Sequence, residues 1–232
     1  MKTLVAIYTC HKYDYQHDMM QNWLKHPVVD RVPAIRDTWI KDVTVDYKFF
    51  YGDLPKGISK EPLPDEVFLK CPDGYYTSNQ KTKALVRWAL ENGYDRILKI
   101  DDDIFVHWDR MTASKGFTTG SYVGGGYSPQ EAYAFGGCYW LDKSAMEILA
   151  STPTGSQDWA EDRWAGLALA RQNVKLQFDP SYYYQRAPES TRLQYIEDGL
   201  LYSDHRYTIL HALTPEQMRE YYGKHHTAPL GG

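Results

Sequence analysis

Three carboxylates, Asp101, Asp102 and Asp103, follow directly on the run Arg96-Ile97-Leu98-Lys99-Ile100. Adjacent carboxylates repel one another, and a divalent cation relieves that repulsion. Oxygen ligands suit the hard ions magnesium and manganese, which proteins commonly share with substrate phosphates. In open α/β sheets, ligands bind beyond the carboxyl ends of the strands. A triplet at the end of an apolar run of strand length therefore reads as a metal–diphosphate site. Residues 101 and 103 of a strand end point to the same side, and this outer pair can converge on one ligand. The alternative is a solvated turn whose acids cap the segment behind it. Ile104-Phe105-Val106 follows at once, which is a poor setting for a freely solvated turn.

Other residue types with chemical capacity are less telling alone. His211, one of eight histidines, lies in Ile209-Leu210-His211-Ala212-Leu213, where a lone imidazole is ordinarily a satisfied core group. The three cysteines, Cys10, Cys71 and Cys138, have neither metal-ligand spacing nor an even count for a disulfide framework, so buried free thiols are expected. Twenty tyrosines and seven tryptophans are many for this length. Most must pack the core, and a minority can stack on bases or sugar rings.

The elements that position these groups alternate. Residues 3–9 form a buried strand, and Asp46–Tyr51 a second, closed by Gly52-Asp53. Residues 55–64 are a loop, and Glu66–Lys70 a short third strand. Met19, Met20, Trp23 and Leu24 recur at helical spacing, ended by Pro27. From Ser78 the period changes to 3.6: Ala84, Leu85, Trp88 and Ala89 share a face, and Asn92-Gly93 stops the helix. Helices over 143–150 and 159–171 and a strand over 174–178 follow, with Gly124-Gly125-Gly126 and Gly136-Gly137 punctuating the middle. Thr214-Pro215-Glu216-Gln217 is a capping box with proline at the first helical position, and Gly223 is expected to end that helix. The alternation predicts an α/β fold with a mostly parallel central sheet flanked by helices.

The 232 residues suffice for one substantial domain, and 43% hydrophobic with 24% charged residues is ordinary for a globular protein. A formal net charge of −4 gives no global field for a polyanion, so a nucleic-acid partner gains no support, although a local basic groove is still open. The apolar start is too short for a signal-peptide core, and no stretch reaches the roughly 20 residues of a membrane span. A cytoplasmic protein is expected.

Several motifs, taken in order, resemble the β1,3-galactosyltransferase and Fringe-like glycosyltransferases (family 31), which have the GT-A fold. Ile35-Arg36-Asp37-Thr38-Trp39 is similar to that family's arginine-x-threonine-tryptophan motif, and Phe49-Phe50-Tyr51-Gly52 to the strand after it. Tyr75 with Lys81-Thr82 partly matches the next motif, with Thr77, Ser78 and Gln80 replacing the residues expected before Lys81. Leu98 to Val106 is close to the family's metal motif, and Phe135 to Leu141 to its glycine-rich donor segment. Glu161-Asp162 through Gly166 resembles its glutamate-aspartate-x-x-x-glycine motif, and His211 with Pro215 to Met218 its late histidine and helix. No segment here resembles the membrane anchor and stem of secretory members, so a form without them is expected.

The resemblance implies a single GT-A-type (Rossmann-like) domain over residues 1–225, with a nucleotide-sugar half at about 1–106, an acceptor half at about 107–225 and a flexible tail at 226–232. It implies a nucleotide-sugar donor, a UDP-sugar first, with manganese or magnesium held by Asp103, His211 and Asp101. Asp101 and Asp102 would face ribose and donor sugar, Tyr8 and Thr9 would flank the base, and Gly136 and Gly137 would admit the donor sugar. Arg36 and Lys81 would assist near the phosphates, surface salt bridging being their other reading. Inverting transfer needs a base: Asp162 by family position, with Glu161 as alternate. The acceptor is a hydroxyl of a glycan or glycoconjugate, or a small hydroxylated acceptor. A viral or phage enzyme acting on hydroxylated DNA bases is the alternative within the class. Outside it stand a metal-dependent phosphohydrolase and an inactive sugar-nucleotide binder.

Overall fold

β1 (Thr3–Tyr8) is apolar on both sides, because a strand alternates its side chains between two faces and both are covered here. Leu4 and Ala6 pack on one face, Val5 and Ile7 on the other. The structure, a computed structural model, describes residues 1–11, 29–125, 133–182, 208–210 and 213–227. The other strands are β2 (Asp46–Tyr51), β3 (Glu66–Phe68), β4 (Arg96–Asp101), β5 (Phe105–Val106), β6 (Tyr122–Gly124), β7 (Cys138–Asp142), β8 (Gln177–Phe178) and β9 (Ile209–Leu210). Seven form one sheet in the order β3-β2-β1-β4-β7-β6-β8. β7 runs antiparallel to both its neighbours, and every other adjacent pair is parallel. β5 and β9 form a separate antiparallel ribbon, with Phe105 opposite Leu210 and Val106 opposite Ile209.

The helices are α1 (Val32–Asp37), α2 (Ser78–Glu91), α3 (Trp108–Ala113), α4 (Lys115–Thr118), α5 (Lys143–Ser151), α6 (Glu161–Arg171) and α7 (Pro215–Thr227). Leu85 and Val86 of α2, Met146 and Leu149 of α5, and Trp164 and Leu169 of α6 cover one face of the sheet. Ile35 of α1, the β5–β9 ribbon, and Met218 and Tyr221 of α7 cover the other. Caps fix the ends of these helices. The Asp142 carboxylate accepts the Ala145 N–H at 2.9 Å to start α5. Thr214 and Gln217 exchange side-chain-to-backbone bonds of 3.2 and 2.9 Å at the start of α7, the reciprocal capping box its sequence predicts. Gly93, at φ 74°, takes the left-handed turn that closes α2.

The mostly parallel sheet flanked by helices is the expected class. Boundaries differ where single-segment patterns are weak. β1 ends at Tyr8, β3 at Phe68, and the strand expected over 174–178 is paired only at Gln177–Phe178. The helix expected from residue 159 begins at Glu161, after a 3₁₀ turn over Ser156–Asp158. α7 continues through Gly223 to Thr227, because a helical glycine costs only about 1 kcal/mol relative to alanine and does not break a capped helix. The expected tail therefore loses residues 226 and 227 to that helix. The helical pattern at Met19–Leu24 with Pro27, Gly126, His205, His211 and residues 228–232 lie outside the described residues.

Candidate functional site

The acidic triplet sits where β4 ends. The Asp101 N–H donates to the Gly137 carbonyl at 2.9 Å, and the Ile104 N–H turns back to the Asp101 carbonyl at 3.3 Å. Asp102 and Asp103 thus occupy a turn. The pleat stops at Asp101, so Asp101 ends the strand and Asp103 stands on the turn that follows. Asp102 reaches across to the end of β1, where its N–H donates to the Tyr8 carbonyl at 3.2 Å and its carboxylate accepts the Thr9 hydroxyl at 2.6 Å. The Asp103 carbonyl accepts the Leu213 N–H at 3.1 Å.

Lys99 lies two residues before Asp101, on the sheet face that packs against α2, α5 and α6. Its side chain is 1% exposed. The ammonium donates to Asp101 Oδ1 at 2.5 Å, to the Gly136 carbonyl at 2.5 Å and to Glu161 Oε1 at 2.8 Å. It also stands 4.6 Å from the centre of the Tyr8 ring. The second Glu161 oxygen accepts the Tyr139 hydroxyl at 2.5 Å. A single buried ammonium therefore joins the triplet, the glycine loop and the first turn of α6. Burial alone would discharge it, but Asp101 and Glu161 hold it protonated. Burial pushes Glu161 up to about 7 against the pull of Lys99, with Asp162 and Asp101 adding to the rise. Burial likewise raises Asp101, against the pull of Lys99 and with Asp103 adding to the rise.

Gly136 is packed against both acids of α6. A Cβ there would stand 2.9 Å from Glu161 Oε1 and 3.1 Å from Asp162 Oδ2. At Gly137 a Cβ would collide with the Phe135 ring and Ile104. Asp162 is half-buried, and one of its oxygens accepts the Arg163 N–H at 2.6 Å. Its place in the first turn of α6 is one where carboxylates are stabilised by exposed N–H groups. The two acids are therefore not equivalent: Glu161 is buried and spanned by Lys99 and Tyr139, whereas Asp162 reaches the surface.

Lys81 and Arg36 have different settings. Lys81 is buried, donates to the Thr9 carbonyl and to Asp73 Oδ1, and lies 4.4 Å from the Tyr8 ring centre. Asp73 also accepts the N–H groups of His11 at 2.6 Å and Gly52 at 2.9 Å. Lys81 and Asp73 thereby fix the end of β1. Arg36 forks onto Asp65 at 2.8 and 2.9 Å and reaches Glu66 at 3.1 Å. Those acids border and begin β3, with β2 and β1 between that strand and the triplet on β4. The geometry matches the salt-bridge reading of Arg36 and does not bring it to the triplet.

Tyr8, Thr9, Asp101, Asp102, Gly136, Gly137, Glu161 and Asp162 are thus assembled around one end of the sheet, with Asp103 on the adjoining turn and Lys81 behind. Among the described residues no three His, Cys, Asp or Glu side chains form a group arranged to hold a metal ion. His211 lies outside the described residues, but both its flanks are placed: Leu210 opposite Phe105, and Leu213 on the Asp103 carbonyl. A groove of about 650 Å³ opens elsewhere, between residues 68–72 and α2, lined by Lys83, Arg87 and Trp88 but by no residue of the triplet. Sequence reasoning missed Lys99, Tyr139 and Asp73. The signal for Lys99 was present: a lone charge inside an apolar strand, in phase with Asp101. Asp73 and Tyr139 carry no such signal.

No family model and no curated protein matches this chain. Among solved structures it is similar to a glycosyltransferase involved in the glycosylation of the major capsid of PBCV-1, at 7% identity over 96% of this chain and 100% of that one, with a TM-score of 0.49. It is similar to the apo-form glycosyltransferase GlyE in Streptococcus pneumoniae TIGR4, at 10% identity over 96% of this chain and 60% of that one, TM-score 0.49. It is also similar to a CMP:2-keto-3-deoxy-manno-octonic acid synthetase complexed with CTP, at 11% identity over 87% of this chain and 99% of that one, TM-score 0.49. At these TM-scores the likenesses carry no argument. The fold rests on the strand order, and the chemistry on the site residues. No helix among the described residues is long and apolar enough to cross a membrane.

Proposed function

We propose that this chain is an inverting glycosyltransferase of GT-A type, similar to family 31, that transfers a sugar from a nucleotide-sugar donor, a UDP-sugar first, to an acceptor hydroxyl. One observation carries the reading. The triplet at the end of β4 and the acids at the start of α6 meet at the same glycine pair, through Asp101 to Gly137 and through Glu161 and Asp162 to Gly136. This supports the reading, in which the carboxylates on one side of the loop would serve a cation-bound diphosphate and one on the other side would take the proton.

The donor set fits manganese or magnesium, since such ions take one or two carboxylates and complete their shell with substrate phosphate oxygens and water. Asp103 and His211, with Asp101, would hold the ion. When bound, it neutralises charge on the departing diphosphate. Tyr8 and Thr9 form the wall beside the triplet, Tyr8 held by its hydroxyl on the Ser78 carbonyl at 2.9 Å and Thr9 by Asp102. Gly136 and Gly137 let their loop pack closely on Glu161 and Asp162 and on Phe135 and Ile104, and its backbone would face the donor sugar. Asp162 takes the proton from the attacking hydroxyl, because it alone of the two acids reaches the surface. Glu161 and Lys99 position the first turn of α6 against the triplet.

Nucleotide release from a panel of nucleotide-sugars, with manganese, magnesium or chelator, tests this. UDP released from one or more UDP-sugars in a cation-dependent way is expected. Phosphate release from simple phosphate esters, with no nucleotide released from any donor, would replace the reading with a phosphohydrolase.

A further inference from the structure

Three aromatic side chains meet beside the site without entering the main core. Tyr75 and Tyr76 belong to the 3₁₀ turn Tyr75–Thr77 ahead of α2, and Trp159 comes just before α6. The Trp159 ring lies 4.9 Å from Tyr75 and 5.1 Å from Tyr76, and the two tyrosines are 5.7 Å apart. Tyr76 is 43% exposed, and Tyr75 and Trp159 are half-exposed. Exposed aromatic groups usually reflect some use beyond packing, because burying them is favourable.

The backbone beneath the rings is rigid. The Trp159 carbonyl accepts the Ser78 hydroxyl at 2.7 Å and the Asn79 N–H at 3.2 Å. The buried Asn79 amide ties down the carbonyls of Gly155 at 3.0 Å and Asp158 at 2.7 Å. The same turn reaches the site: the Ser78 carbonyl accepts the Tyr8 hydroxyl, and the Tyr8 ring lies over Lys99. Trp159 is three residues from Asp162, so their Cα atoms are at most about 11 Å apart. Residues binding a ligand rigidly by its ring face, next to the carboxylate that would take its proton, have the character of an acceptor subsite.

We infer that Tyr75, Tyr76 and Trp159 form a shelf for a neutral pyranose ring of the acceptor. The inference rests on the transferase reading and names the acceptor class, carbohydrate, that this reading leaves open. Pyranose rings present a face of C–H groups that docks on an aromatic face, while the rim hydroxyls stay free for polar contact. Among the described residues, the cation nearest in sequence to Trp159 is Arg163, which is paired with Asp158 at 3.0 Å. That composition favours an uncharged sugar over a nucleic-acid strand, which needs cations along its phosphates.

Saturation-transfer NMR on the full chain, without donor or metal, tests the shelf. The probes are methyl pyranosides of glucose, galactose, mannose and fucose in both anomers, with lactose, and a thymidine oligonucleotide as the competing ligand. Transfer to the axial ring protons of at least one glycoside is expected, with binding weakened about tenfold in Tyr76→Ala, roughly what one stacked ring contributes. Trp159→Ala should abolish it. Tyr76 is exposed, so its variant should retain the wild-type melting temperature and keep the test readable if the tryptophan variant fails to fold. No transfer to any glycoside, glycoside binding in Tyr76→Ala as tight as in the parent, or transfer to the oligonucleotide alone would each overturn the shelf. Because no donor is present, failure here is separable from failure of nucleotide release.

Discussion

Lys99 and Glu161 face each other at 2.8 Å between the sheet and α6, and each has further partners that would be stranded by its loss. Lys99→Met leaves the buried Glu161 carboxylate and the partly exposed Asp101 with no ammonium. Removing one member of such a pair typically costs about 3–5 kcal/mol. Urea denaturation should show that loss, and Lys99→Met with Glu161→Leu should recover much of it. Equal stability of the single and double variants would mean that the ammonium does not organise this interface.

The same cluster gives stability a dependence on pH. Burial raises Glu161 to about 7 in the folded protein, above its ordinary value of 4.5. A raised carboxyl favours its protonated form, so its contribution is full below the unfolded value and is lost as pH rises through about 7. Glu161→Gln cannot titrate. Its stability relative to the parent should increase between about pH 4.5 and 7 and level off above that range, as read from denaturation midpoints. A difference that does not vary with pH would mean Glu161 is not the titrating group.

Asp162→Asn is expected to keep donor binding while transfer falls by about 10²–10⁴-fold, the usual contribution of a general base. Calorimetry with UDP and a transfer assay separate the two effects. Full transfer by this variant removes Asp162 from the role and leaves Glu161 as the alternate.

Asp103→Ala should abolish cation-dependent UDP binding in the calorimeter, and His211→Ala should weaken it. The readout is binding, so it does not require an acceptor. A manganese-dependent gain in UDP affinity as large in both variants as in the parent would end the assignment of these residues as ligands.

Gly136→Ala places a methyl group 2.9 Å from Glu161 Oε1 and 3.1 Å from Asp162 Oδ2. Glu161 cannot yield easily, since Lys99 and Tyr139 hold both its oxygens. Overpacking of this kind costs about 1–3 kcal/mol, and transfer should fall more steeply than stability because Asp162 is displaced too. Wild-type transfer rates in this variant would show that the loop has room to move.

Much of this architecture is legible from local pattern. β1, β2, α2, β4 and α5 declare themselves by periodicity, and α7 by its capping box, because each is a continuous stretch whose own residues decide it. β6 and β7 are short or irregular, and their strand identity comes from neighbours: β7 exists as a strand because it pairs with β4 and β6. The triplet, the glycine pair and Asp162 could be found as motifs, since each is contiguous. The partnership of Asp73 with Lys81, or of Tyr139 with Glu161, is made only by folding. Arg36 shows the opposite case: a residue singled out by its motif is taken up by Asp65 and Glu66 on the outer side of the sheet.

The β5–β9 ribbon has a consequence for when the protein can act. Phe105 and Asp103 wait for partners, Leu210 and Leu213, that arrive almost half a chain later. Contacts so distant in sequence form late and are among the slower steps of folding. The Lys99 cluster uses residues no later than Glu161 and the sheet none later than Phe178, so they can close first. A chain synthesised only as far as residue 207 would therefore leave one sheet face without the ribbon and α7, and the Asp103 carbonyl without its bond from Leu213: the ribbon is the clasp that closes that face.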